Sequence, residues 1–240
     1  MDATATNLVY LLRKGPSEGP FHPPAFRLAV PRATFVESPP ALATGDPVLE
    51  FTVGDLTHEV SDAIVNPAGA GRVDLAIRRA AGPELLEAFH RSASVLPRGK
   101  LSPGRAISTP GFGLRAAHVI HCDPPVYADD PIAAAENLAT CHAQSLRLAR
   151  EHGLTSISFP AIATGIHRYP ASLAAEIAVT TVLHELRAHG LPHTVRFVLF
   201  TPSMLELYAT AALAHLDADP TQTERGIVFS ELRRSAASMR

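Results

Sequence analysis

The run Phe159-Pro160-Ala161-Ile162-Ala163-Thr164-Gly165-Ile166-His167 carries the clearest chemistry in this chain of 240 residues. A strand-like stretch over 156–159 stops at a proline, and a loop of small residues, Ala163-Thr164-Gly165, then leads toward a helix. Main-chain N–H groups in such a loop can converge on an anion, because no large side chain blocks the approach. Gly165 can also supply a positive φ that other residues would resist. The chemistry read here is phosphate binding by main chain, with no lysine and no metal in the loop. The alternative is a strand-to-helix turn whose glycine serves geometry alone.

Other spacings imitate functional motifs and are set aside on physical grounds. Gly69-Ala70-Gly71 begins like a dinucleotide fingerprint, but the position of the third glycine is Asp74. His118, His121, Cys122 and Asp123 are close in sequence, yet neighbouring strand residues face opposite ways and cannot all meet one ion. No metal or other cofactor is therefore expected. His142 falls on the apolar stripe of its helix and reads as a satisfied, half-buried histidine. Neither a Gly-x-Ser-x-Gly elbow nor a Walker loop is present.

These residues need a scaffold, and the pattern around them supplies one. Residues 48–53 and 63–66 read as strands, and 73–93 as helix interrupted near Gly82-Pro83. Strands are expected at 105–109 and 119–122. A helix follows from Pro131, with Asp130 able to cap it and Gly153 closing it. Then come a strand at 156–159, a helix at 171–189, a strand at 195–200 and a last helix from Pro202. Strands alternating with helices indicate a mixed, mostly parallel sheet in a three-layer α/β/α domain. In such sheets ligands sit at the carboxyl ends of strands, where the loop at Ala163 falls.

Composition bounds the rest. The chain is 46% hydrophobic and 18% charged, enough for one domain with extensions. A net charge of −2 gives no basic surface for nucleic acid or an anionic membrane. No apolar run approaches a membrane span, and the N-terminus lacks the features of a signal peptide. Two cysteines, Cys122 and Cys141, suit a reducing compartment, so a cytoplasmic protein is expected. Residues 1–47 form a proline-rich arm, either laid on the domain or mobile. The core domain is placed at 48–215 and a charged tail at 216–240.

Four segments occur in a telling order. Gly54-Asp55-Leu56-Thr57 follows the first core strand. Asp62-Ala63-Ile64-Val65-Asn66 leads to Val73-Asp74 and then to Ile77-Arg78-Arg79-Ala80-Ala81-Gly82-Pro83. Ser108-Thr109-Pro110-Gly111-Phe112 precedes Val119-Ile120-His121, and the run from Phe159 to Ile166 comes last. Over about 48–215 this chain resembles the macro domains, which bind ADP-ribose and in some branches hydrolyse it from proteins. The resemblance implies that Asp55 accepts a hydrogen bond from the adenine exocyclic amine, close to the Leu56 main chain. Phe200 corresponds to a position that often holds an aromatic against the adenine face. Ala163, Thr164, Gly165 and Ile166 would hold the diphosphate together with the turn before Val73, and Asn66 would fix the first loop and reach toward the distal ribose. Each has a plainer reading: Asp55 as the cap of a helical turn, Phe200 as core, Asn66 as a local tie.

The first loop departs from the family pattern. Hydrolytic members usually read Asn-Ala-Ala-Asn, several glycines, then Val-Asp-Gly. Here the segment is Asn66-Pro67-Ala68-Gly69-Ala70-Gly71-Arg72-Val73-Asp74-Leu75. The second asparagine is Gly69, the loop is several residues shorter, and Leu75 replaces the last glycine. Asp74, which activates water in the hydrolytic branch, is retained. His167 stands where a tyrosine or phenylalanine is common. It offers either a flat packing group or a replacement acid or base. Arg72 could pair with the diphosphate or stay solvated. The reading that results is a module binding ADP-ribose, free or on a protein. The alternative is an ADP-ribosyl hydrolase or O-acetyl-ADP-ribose deacetylase using Asp74.

Overall fold

The computed structural model describes residues 25–29, 47–69 and 71–217. Most of the expected arm and tail, and Ala70 of the first loop, lie outside the described residues. Seven strands form one sheet in the order β1-β2-β7-β6-β3-β5-β4. They are β1 (Ala25–Ala29), β2 (Val48–Val53), β3 (Ala63–Pro67), β4 (Ala106–Pro110), β5 (His118–Cys122), β6 (Ser156–Phe159) and β7 (Thr194–Leu199). The five strands from β2 to β5 in that order run parallel, while β1 and β4 close the two edges antiparallel. The mixed, mostly parallel sheet expected from the sequence is therefore present. Within the arm, Ala25–Ala29 pairs with β2 from Val48 to Thr52, a pairing that the proline-rich sequence did not reveal.

Helices cover both faces. On one side α3 (Pro131–Glu151), α4 (Ala171–His189) and α5 (Pro202–Asp217) pack over Leu49, Phe51, Val65, Cys122, Phe159, Val195 and Phe197. On the other, α1 (Arg72–Ala81) and α2 (Pro83–Ser94) cover Ile64, Val119 and Val198. Alternate strand residues thus serve opposite layers, and β3, buried on both sides, is nearly all apolar. The break between α1 and α2 falls at Gly82, whose φ of 95° suits glycine, followed by Pro83 as a first helical residue. Asp130 caps α3 by accepting from Ile132 and Ala133 N–H at 3.0 and 3.1 Å.

The centre of the larger layer is aromatic. Parallel register sets Phe51 opposite Phe197 and Phe197 opposite Phe159. The Phe51 and Phe197 rings stack with centroids 5.7 Å apart. Tyr208 of α5 lies 4.8 Å from Phe197, and His142 of α3 stacks at 5.3 Å on Phe159. His142 is fully buried rather than half-buried as its helix position suggested, because the two phenylalanines draw it into the core. It donates through Nδ1 to the Leu138 carbonyl at 2.8 Å, and its Nε2 is without a partner among the described residues.

Desolvation pushes the pKa of His142 down to about 4, and it does the same to the buried His121 on β5. An unfolded imidazole titrates near pH 6.5. The folded value is the lower one, so the unfolded chain binds more protons between the two. Stability should be complete above about pH 6.5 and should fall as pH drops toward 4, by up to about 1.4 kcal/mol per pH unit for each ring. Urea unfolding between pH 7.5 and 5 tests this: the free energy should decline, and His142→Leu should reduce the slope. A flat profile would mean that neither ring is held neutral.

Candidate functional site

Because β2, β3, β5, β6 and β7 are parallel, their carboxyl ends emerge along one edge of the sheet. A cleft of about 630 Å³ opens there. One wall is the loop after β6, including Ala163, Thr164, Gly165, Ile166 and His167. The facing wall is Gly71 and the first turn of α1, with Arg72, Val73 and Asp74, and Phe200 stands at the end of β7.

The loop after β6 is held from below. Ile162 and Ala163 are buried, and Tyr169 N–H donates to the Ala163 carbonyl at 3.0 Å. Arg168 N–H donates to Gly165 at 3.0 Å, and Thr164 Oγ1 donates to Ala161 at 2.9 Å. From the segment after β5, Tyr127 N–H donates to the His167 carbonyl at 3.2 Å, while the Tyr127 ring meets Tyr169 edge-on at 4.8 Å. The positive φ open to Gly165 is found instead at Ala163, where φ is 65°. A left-handed alanine costs about 1–2 kcal/mol, and its burial and the Tyr169 bond hold it there. Gly165 serves openness rather than geometry, since a β-carbon built on it meets nothing within 4 Å. Among the described residues, the main-chain N–H groups of residues 163–167 donate to no protein acceptor. The same holds for Arg72 and Val73, as expected for a first helical turn. Unpaired donors therefore occur on both walls.

Beneath the facing wall lies a buried polar cluster. Asn66 and His121 sit opposite each other in the β3–β5 register. Asn66 Nδ2 donates to Asp74 Oδ1 at 2.8 Å and to His121 Nδ1 at 3.1 Å. The His121 ring is thus neutral and donates through Nε2 to Thr109 Oγ1 at 2.9 Å, and Thr109 donates on to the Pro110 carbonyl. Burial, only partly offset by the Asp74 charge, keeps that ring neutral. Asp74 has no solvent exposure, and Arg78 grips both its oxygens, Nε to Oδ1 at 3.0 Å and NH2 to Oδ2 at 2.9 Å. Asn66 Oδ1 is buried without a partner among the described residues.

The remaining expected residues fall into two groups. Phe200 lies beyond β7, not inside it, and is 78% exposed, which rules out the core reading. Asp55 does not line the cleft but follows β2 beside β7, where Gly54 N–H donates to the Leu199 carbonyl at 2.9 Å. Its Oδ1 accepts from Thr57 N–H and Oγ1 at 2.9 and 2.8 Å, capping a single 3₁₀ turn at Leu56–His58. Burial raises its pKa, but the Thr57 bonds and nearby His58 outweigh this and lower it overall. The Leu56 side chain is buried with Ile64 and Ile77. His167 is half-buried, which lowers its pKa, and its ring edge approaches Gly69. Arg78, Thr109 and His121 were missed as site residues. The Asp74–Arg78 spacing of four on one helix was a readable signal, whereas the Asn66–His121 pair depends on strand register. Among the described residues, no three His, Cys, Asp or Glu side chains are grouped to hold a metal ion, and no helix is long and apolar enough to cross a membrane.

Fold and cleft define an α/β domain with a ligand site at the carboxyl edge of its sheet. The Macro domain family profile matches residues 63–178. A macro domain-containing protein of Xanthomonas axonopodis pv. citri is 41% identical over 168 residues, 68% of this chain and 94% of that protein. An O-acetyl-ADP-ribose deacetylase of an Enterobacter species is 41% identical over 167 residues, 68% of this chain and 92% of the relative. Among solved structures, the Oceanobacillus iheyensis macrodomain with ADP superposes with a TM-score of 0.67 at 38% identity, covering 71% of this chain and 92% of that one. The Trypanosoma brucei macrodomain in complex with ADP-ribose gives 0.60 at 32% identity, covering 68% of each chain. This chain belongs to the macro domain family.

Removing Arg78 would take its guanidinium partner from a buried Asp74 carboxylate. Arg78→Ala should therefore lower the unfolding free energy by about 3 kcal/mol, read from urea titration at pH 7.5. Adding Asp74→Asn should recover part of the loss, because the buried charge disappears. An Arg78→Ala protein as stable as wild type would show that the pair is solvated.

Proposed function

We propose that this macro domain binds ADP-ribose, free or attached to a protein, and holds it without cleaving it. The observation that carries the reading is the pair of facing walls rich in unpaired main-chain N–H groups, which suit a diphosphate between residues 163–167 and the first turn of α1 at Val73. Around that centre the remaining parts fall into order. Phe200 offers an exposed aromatic face for adenine at one end. Asp55, with Oδ1 committed to Thr57, presents its second oxygen to the exocyclic amine, and the Leu56 N–H is next in line. At the other end His167 packs near the distal ribose, and Asn66 secures the first loop from β3 through Asp74. The names of relatives such as the Oceanobacillus and Trypanosoma structures, with ADP and ADP-ribose respectively, support the same ligand.

A second reading is favoured by relatives named O-acetyl-ADP-ribose deacetylase. In it Asp74 draws a proton from water, whose oxygen either attacks the acetyl carbonyl and expels the ribose hydroxyl with release of acetate, or attacks the anomeric ribose carbon and expels the acceptor carboxylate. Against this stand the complete burial of Asp74 and its bonds to Arg78 and Asn66, which turn the carboxylate toward the protein rather than toward solvent.

Calorimetric titration with ADP-ribose, with AMP as control, tests the binding. Wild type should bind ADP-ribose and bind AMP far more weakly. Gly165→Val should abolish binding without loss of stability, since a β-carbon there meets nothing within 4 Å. Phe200→Ala should weaken it by about 1–3 kcal/mol. Equal affinity for AMP, or an unaffected Gly165→Val, would remove the diphosphate from this loop. Acetate release from O-acetyl-ADP-ribose that vanishes in Asp74→Ala would establish the deacetylase instead, and release that survives in that variant would point to His167.

A further inference from the structure

Arg72 is the first residue of α1, exposed, and lines the cleft. Among the described residues it makes no hydrogen bond or ion pair. The one acid in the cleft lining is Asp74, and its charge is already matched by Arg78 from the same helix. The lining therefore carries one uncompensated positive charge. The short first loop also brings this charge close to the opposite wall. A β-carbon built on Gly71 would touch Ile166 Cδ1 at 3.8 Å, and one on Gly69 would touch His167 Cε1 at 3.9 Å. An anion held by the N–H groups of residues 163–167 thus lies across a narrow gap from the base of the Arg72 side chain.

We infer that Arg72 clamps the diphosphate from the facing wall and makes phosphate recognition in this chain depend on a side-chain charge as well as on main chain. The inference rests on the ADP-ribose reading and adds a specificity-determining residue to it. A planar guanidinium meets two phosphate oxygens in parallel, which fixes the diphosphate in orientation as well as place. A loop that has lost several amides gains from one such contact a charge that amides do not carry. Two consequences separate this from main-chain binding alone. Affinity falls with rising salt through the exposed guanidinium, and it depends on the fork of the side chain rather than on positive charge in general.

The test is calorimetric titration of wild type, Arg72→Gln and Arg72→Lys with ADP-ribose and with ADP, at about 0.05 and 0.5 M salt. Arg72→Gln should weaken both ligands about ten- to hundredfold at low salt. It should also flatten the salt dependence, and Arg72→Lys should restore the salt dependence but only part of the affinity. Thermal unfolding should be unchanged in both variants, because the side chain is exposed. If Arg72→Gln binds as tightly as wild type with the same salt dependence, the clamp is refuted while ADP-ribose binding stands. If wild type binds neither ligand, both readings fall. If lysine restores affinity in full, the forked contact is refuted and a simple point charge remains.

Discussion

A carboxylate without solvent must be paired, and the pairing of Asp74 organises the ligand-facing half of this domain. Its partners come from β3 through Asn66 and from its own helix through Arg78. Asn66 is in turn braced by His121 of β5, and His121 by Thr109 of β4. Three strands are thereby tied to the first turn of one helix, and the start of α1 is fixed relative to the sheet. That fixity matters because the donors of a first helical turn recognise an anion only if they are already in place. The orphaned Asn66 Oδ1 fits the same picture, since its amide is oriented by what Nδ2 must satisfy on two sides.

The opposite wall reaches the same end by other means. There the backbone is turned by a left-handed Ala163 rather than by the glycine two residues later. Strain at Ala163 is held by core burial below and by Tyr169 and Tyr127 behind, which leaves the following N–H groups unspent. Gly165 then keeps its surface clear. Separating the residue that bends the chain from the residue that admits a ligand lets each be optimised alone, and it explains why glycine content by itself misidentified the bend.

Much of the architecture was legible because it rests on local rules. Alternation of strands and helices, Pro83 and Pro131 at first helical positions, and the Asp130 cap each follow from short-range chemistry. The β6 loop was legible for the same reason, and the ordered motifs added the family. What escaped depends on register and tertiary contact. Asn66 meets His121 only because β3 and β5 are parallel neighbours in one register. His142 looked half-buried on its helix, and two phenylalanines from distant strands decide otherwise. The edge strand β1 is a five-residue piece among prolines, and its pairing depends on where β2 lies in the fold. Phe200 was ambiguous by one residue, the distance between the last rung of β7 and an exposed rim.

Charge placement connects these observations to the choice between holding a ligand and cleaving it. A general base is useful when its charge is available to a proton in the transition state. Asp74 spends its charge on Arg78, and the bidentate geometry leaves the pair locally neutral. Asp74 has no solvent exposure, and losing its ion contact there would be expensive. The same neutralisation leaves Arg72 unopposed in the cleft, so the field there favours an anion in its ground state. On the binding reading proposed above, such a site lowers the free energy of the complex without lowering that of a transition state. Asp74 has an architectural role in either reading, since its carboxylate ties the start of α1 to β3 through Asn66.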